Sequence, residues 1–244
     1  LLRNMKSIGI KLLILLFILS CGKTEVEKVE TKTNSAQSES MLKTFYKSMN
    51  KLRVEVFYEE GSEPYTGTSL LGKDYWDLFD KNIREILQVD TRSIDIFIPN
   101  ELSEMASFTD KSKESWSVSE LQNLFSEVGA SASTSDTAYL SIIFLSGAFR
   151  ESSGEVNRNT LGIHITGTTR IVIFKDLLKA IESSDGKWVS RYSEQSVLVH
   201  EVGHAIGMVN NGLPMSTEHH DSEHGDHCTN DKCVMFWLNE GKEG

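Results

Sequence analysis

Proline is nearly missing from this chain, with three in 244 residues, so no long rigid proline spacer is present. Cysteine is equally scarce: Cys21, Cys228 and Cys233 are the whole set. Past the leader region there is no cluster of Lys or Arg, and 25 basic residues against 35 acidic ones leave a net charge of −10. An acidic chain with no basic patch is poorly suited to nucleic acid, so no nucleic-acid partner is expected. No internal repeat is visible. Hydrophobic residues make up 39% of the chain, enough for one core once a polar N-terminal stretch is set aside. The length suits one domain of about 200 residues behind a leader and a tether, and a monomer is expected.

Lys6 and Lys11 flank the start of an apolar run from Leu12 to Leu19 that ends at Ser20-Cys21-Gly22. A basic start, a short apolar stretch and a small residue before the cut describe a secretory signal, for which Met5 is the natural start. The run is too short to span a bilayer comfortably. Ile18-Leu19-Ser20-Cys21 resembles the lipobox of bacterial lipoproteins, which implies cleavage before Cys21, acylation of its thiol and attachment to a membrane. Gly22 in place of Asp after the cysteine points to the outer membrane or cell surface. Residues 22–41 are charged, rich in Ser and Thr and almost free of large apolar groups, and are expected to be a flexible tether.

The segment from 42 to 244 reads as one domain. Leu52, Val54, Val56 and Tyr58 alternate as a strand requires. Trp76, Phe79, Ile83, Ile86 and Leu87 form a helical stripe over 74–88, with Asp74 as N-cap. Residues 93–99 read as a second strand. Ser117, with Glu120 three residues on, opens a helix over 117–128 that Gly129 stops. Residues 139–145 suit a buried strand. Residues 161–165 and 170–174 read as a hairpin, a short helix starts at Asp176, and a last helix runs over 193–208 with Ser193 as N-cap. This order predicts an α+β fold: a mixed twisted sheet backed by helices, followed by an irregular C-terminal region.

Within that last helix stands His200-Glu201-Val202-Gly203-His204. Histidines four apart share one helix face, one turn from each other, so both can reach one cation. Glu201 is rotated by about 100° from His200, beside a metal rather than on it. A carboxylate there can take a proton from a water that zinc has acidified. Gly203 and Gly207 each cost a helix interior about 1 kcal/mol relative to Ala, which suggests a close packing contact or a helix end. A catalytic zinc site needs a third protein ligand, and His219, His220, His224 and His227 all follow nearby.

His200-Glu201-x-x-His204-x-x-Gly207 resembles the opening of the metzincin motif, HExxHxxGxxH. The chain departs from it at Asn210, where the third ligand would stand. His227-Cys228-x4-Cys233-x-Met235 is similar to the archaemetzincin continuation HCx4CxM. The resemblance implies a metzincin-like fold around the active-site helix and a zinc ion held by His200, His204 and His227, with His219 the alternative third ligand. It implies Glu201 as general base and Met235 as the methionine of a Met-turn beneath the metal. It also implies an edge strand that pairs with an extended peptide, for which residues 170–174 are the candidate. His164 is expected to be an ordinary packed or exposed histidine. With Cys21 acylated, Cys228 and Cys233 remain as a pair, for which a disulfide is expected in an exported protein, against structural zinc or free thiols. The implied activity is hydrolysis of peptide bonds in a peptide or protein substrate. The competing expectation is a non-catalytic surface lipoprotein that binds metal through its His-rich loop.

Overall fold

A computed structural model describes residue 39 and residues 41–88, 92–209 and 211–238. Cys21, the leader and Asn210 lie outside the described residues. A helical turn around 41–43 passes into a π-helical turn, Thr44–Ser48, whose Phe45 is fully buried. Met41, placed in the expected tether, already packs against the core.

The central sheet contains β1 (Lys51–Glu59), β2 (Asp95–Phe97), β3 (Ala106–Phe108), β5 (Thr137–Leu145), β8 (Gly162–His164) and β9 (Arg170–Phe174). The order is β2-β1-β5-β9-β8, with β3 beside the far half of β1. All pairings are parallel except the last, where β8 runs antiparallel to β9. Two short strands, β4 (Ser115–Trp116) and β6 (Ala148–Arg150), form a small second sheet with β7 (Val156–Asn157).

Helices follow from the capping and periodicity of their segments. They are α1 (Asp77–Leu87), α2 (Val118–Glu127), α3 (Lys175–Asp185) and α4 (Lys187–Ala205). Ser117 and Glu120 form the expected capping box on α2. Asp74 lies ahead of α1 rather than at its cap, and its carboxylate accepts the Trp76 amide at 2.8 Å. The last helix begins six residues before Ser193. Gly186, at φ 95°, breaks the chain between α3 and α4, and Ser193 is buried within α4.

Alternation along the strands sorts the core into two layers. Leu52, Val54, Leu140, Ile142, Phe144, Ile171 and Ile173 face α1, α3 and α4, where Phe79, Ile83, Leu178, Leu198 and Val202 meet them. Phe57, Ile143, Leu145, Ile163, Val172 and Phe174 face the opposite side, against Leu121, Leu124 and Phe125 of α2. The chain is thus a mixed α+β fold around a mixed sheet.

The direction of α4 under the sheet is set by a buried ion pair. Lys175 follows β9 directly, and its ammonium meets the carboxylate of Glu194 on α4. Both side chains are 1% exposed or less, and the Tyr65 ring covers Lys175 at 3.4 Å. The Tyr65 amide donates to Glu194 at 2.8 Å, completing the compensation a buried charge needs. No helix among the described residues is long and apolar enough to cross a membrane.

Candidate metal centre

Helix α4 ends where its chemistry requires. The Gly207 amide donates to His204 O at 3.1 Å, and the Met208 amide to Gly203 O at 2.9 Å. Gly207 takes φ 88°, so the helix closes in the glycine-dependent motif that satisfies its last carbonyls. A Cβ on Gly207 would also lie 2.6 Å from Leu42. Gly203 has a different reason: a Cβ there would lie 2.2 Å from the Met235 sulfur. Met235, 2% exposed, therefore rests directly on the helix turn that carries the two histidines.

Past Gly207 the chain doubles back. His220–Asp221 and His227–Cys228 form a two-stranded antiparallel ladder, β10 and β11, that pairs Asp221 with His227. The Cys228 amide donates to Met235 O at 2.8 Å, tying that ladder to the segment under α4. This brings His227, and not His219, to the helical pair: ring nitrogens of His200, His204 and His227 all lie within 4.8 Å of one another. His219 is held elsewhere, its carbonyl accepting the Thr229 amide at 2.9 Å. His220 contacts Gly225 O at 2.7 Å. His224 pairs with Asp221 and stacks on Trp237 with ring centroids 4.1 Å apart.

Hydrogen bonds fix the tautomers of His200 and His227. A carbonyl oxygen only accepts, so His200 Nδ1 donates to Val234 O at 2.7 Å and His227 Nδ1 donates to His224 O at 2.5 Å. Each Nε2 of that pair then carries a lone pair, and the two face each other at 3.2 Å. The Nε2 of His204 stands 3.1 Å from that of His200. Burial holds all three rings neutral: it pushes His200 down to about 4, His204 well below the ordinary imidazole value and His227 down as well. The lone pairs of His200 and His227 face each other and repel unless a cation sits between them. With metal–nitrogen bonds of about 2.0–2.1 Å, the separations of 3.2 and 3.1 Å correspond to ligand angles of about 100° for the His200–His227 and His200–His204 pairs, close to tetrahedral. The donor set therefore fits a borderline divalent metal, and the carbonyls behind His200 and His227 supply the support that orients such ligands.

These depressed values set the acid limit of the metal-free fold. The unfolded chain, with imidazoles near 6.5, binds protons before the native one does. Stability is therefore complete above about pH 6.5 and falls as pH drops toward 4, where the folded His200 itself titrates. Thermal denaturation in chelator across that range should show the decline. A flat midpoint would contradict the buried neutral triad.

Glu201 is 1% exposed. It lies beneath β8, since a Cβ on Gly162 would stand 3.2 Å from Glu201 Cγ and 2.6 Å from Val197. The strand proposed to pair with a peptide is thereby corrected. Residues 170–174 form an inner strand, hydrogen-bonded on both sides, and the strand at the end of the sheet is β8. Sequence alone left β8 as half of a hairpin because its three residues are too few to show which edge is paired.

Cys228 and Cys233, for which a disulfide is expected, meet in one turn and are not bonded to each other in this structure. The Asn230 amide donates to the Cys228 sulfur at 3.4 Å, and the Cys233 amide to Asn230 O at 3.0 Å. This turn leaves the two sulfurs in hydrogen-bonding contact, while burial raises the Cys233 pKa.

Compared with known proteins, the chain matches no family model, no curated protein and no solved structure.

Proposed function

We propose that this chain is a zinc-dependent endopeptidase. The observation that carries the reading is the lone-pair cage: His200 and His227, each with its proton committed to a carbonyl, face each other at 3.2 Å beside His204. His200, His204 and His227 would hold the metal and leave a fourth position open, as a catalytic site requires. A bound zinc ion would lower the pKa of water toward about 7 and polarise the scissile carbonyl.

The rest falls to the chain. Glu201, one residue from the first ligand and buried under β8, would take the proton from the attacking water and return it to the leaving amine. A metal store has no use for a carboxylate at this position. The edge of β8 that no described strand pairs would align an extended peptide by main-chain hydrogen bonds, above the helix that carries Glu201. Met235 would form the apolar floor of the site. Acylation at Cys21 would hold the domain at the outer membrane or cell surface on its tether.

The test is proteolysis of a peptide library and of unfolded casein by the zinc-loaded protein. Internal cleavage is expected, lost in chelator and restored by zinc. A protein carrying one zinc per chain that cleaves nothing would instead support the metal-binding lipoprotein.

A further inference from the structure

His164 is a buried histidine that the triad does not use. Its position follows from register. His164 pairs with Ile171 and Gly162 with Ile173, and both partners face the α4 side of the sheet. Alternation puts the His164 side chain on that face too. Along the strand, Lys175 just beyond β9 marks the level of Glu194, and Gly162 marks the level of Val197 and Glu201. Two residues further, about 6.8 Å of strand, corresponds to about four or five residues of helix. That step places His164 over His204.

The tautomers are complementary. His164 Nε2 faces Thr168 O at 2.7 Å and must be its N–H donor, which leaves Nδ1 as an acceptor. His204, if it binds metal through Nε2, presents Nδ1–H as a donor. Among the described residues no hydrogen bond reaches either Nδ1, whereas the other two ligands each have a carbonyl behind them. We propose that His164 is a positioning residue for the metal centre, whose Nδ1 accepts the Nδ1–H of His204 through one bridging water, and so orients that ligand. The inference rests on the proposed metal site.

The test compares the full chain with His164→Leu, His164→Phe and His164→Asn. Leu and Phe remove the acceptor, and either one that folds suffices; Asn puts its side-chain oxygen where Nδ1 was. The readouts are zinc affinity by chelator competition, the visible spectrum of the cobalt-loaded protein and the melting point of the metal-free protein. The apolar variants should bind zinc about 10-fold or more weakly and shift the cobalt bands, and Asn should restore both. A folded Leu or Phe variant with wild-type affinity and spectrum overturns the inference alone. So does an Asn variant no better than Leu. A wild-type chain that binds neither zinc nor cobalt overturns the metal site and this inference together.

Discussion

Glu201→Gln is expected to lower peptide hydrolysis by about 10²- to 10⁴-fold, the range that a positioned general base contributes, while zinc binding stays at the wild-type level. The substitution preserves size and shape at a position that is 1% exposed and in close contact with Gly162 and its strand. Only the ability to accept a proton is removed. Glu201 lies outside the triad of converging nitrogens, so its loss does not subtract a ligand. Steady-state hydrolysis of a fluorogenic peptide, with zinc content measured on the same samples, separates the two effects. Full activity in the variant would show that the base is another group. Loss of zinc together with activity would show that Glu201 is a ligand.

His227→Ala is expected to weaken zinc binding by more than the roughly 10- to 100-fold that loss of a partner behind a ligand costs, because a ligand itself is removed. Two imidazoles on adjacent turns of α4 would remain, with no group in place of the third. His219→Ala serves as the control. The His219 side chain is outside the triad, so affinity should not change. Titration of each protein against a chelator of known affinity decides the matter. If His219→Ala loses zinc and His227→Ala keeps it, the loop holds its metal in another arrangement and the three-histidine site of His200, His204 and His227 has no basis.

Local signals were legible in the sequence where a short segment decides its own structure. The alternation of Leu52, Val54 and Val56 marked β1, and the Ser117–Glu120 pair marked the start of α2 to the residue. The helical pair His200 and His204 was legible for the same reason, since a spacing of four fixes a shared face. Gly203 and Gly207 signalled a contact and a helix end, and the structure shows one of each. The start of α4 was not legible, because Gly186 at φ 95° separates two helices that sequence periodicity alone cannot divide. The ladder between His220–Asp221 and His227–Cys228 has no apolar alternation to reveal it; it is held by backbone bonds and by the Cys228–Met235 contact. The partners of His227 and His164 depend on register between distant segments. No spacing in the chain encodes that His164 lies at the level of His204, which follows only from the antiparallel pairing of β8 with β9 and the Lys175–Glu194 anchor.

X-ray absorption at the zinc edge, with zinc quantified on protein purified without chelator, tests the central claim most directly. The expected result is one zinc per chain with three imidazole nitrogens at about 2.0–2.1 Å and one oxygen ligand, and loss of one imidazole in His227→Ala. No bound zinc, or a ligand shell unchanged when His200, His204 or His227 is replaced, would contradict it.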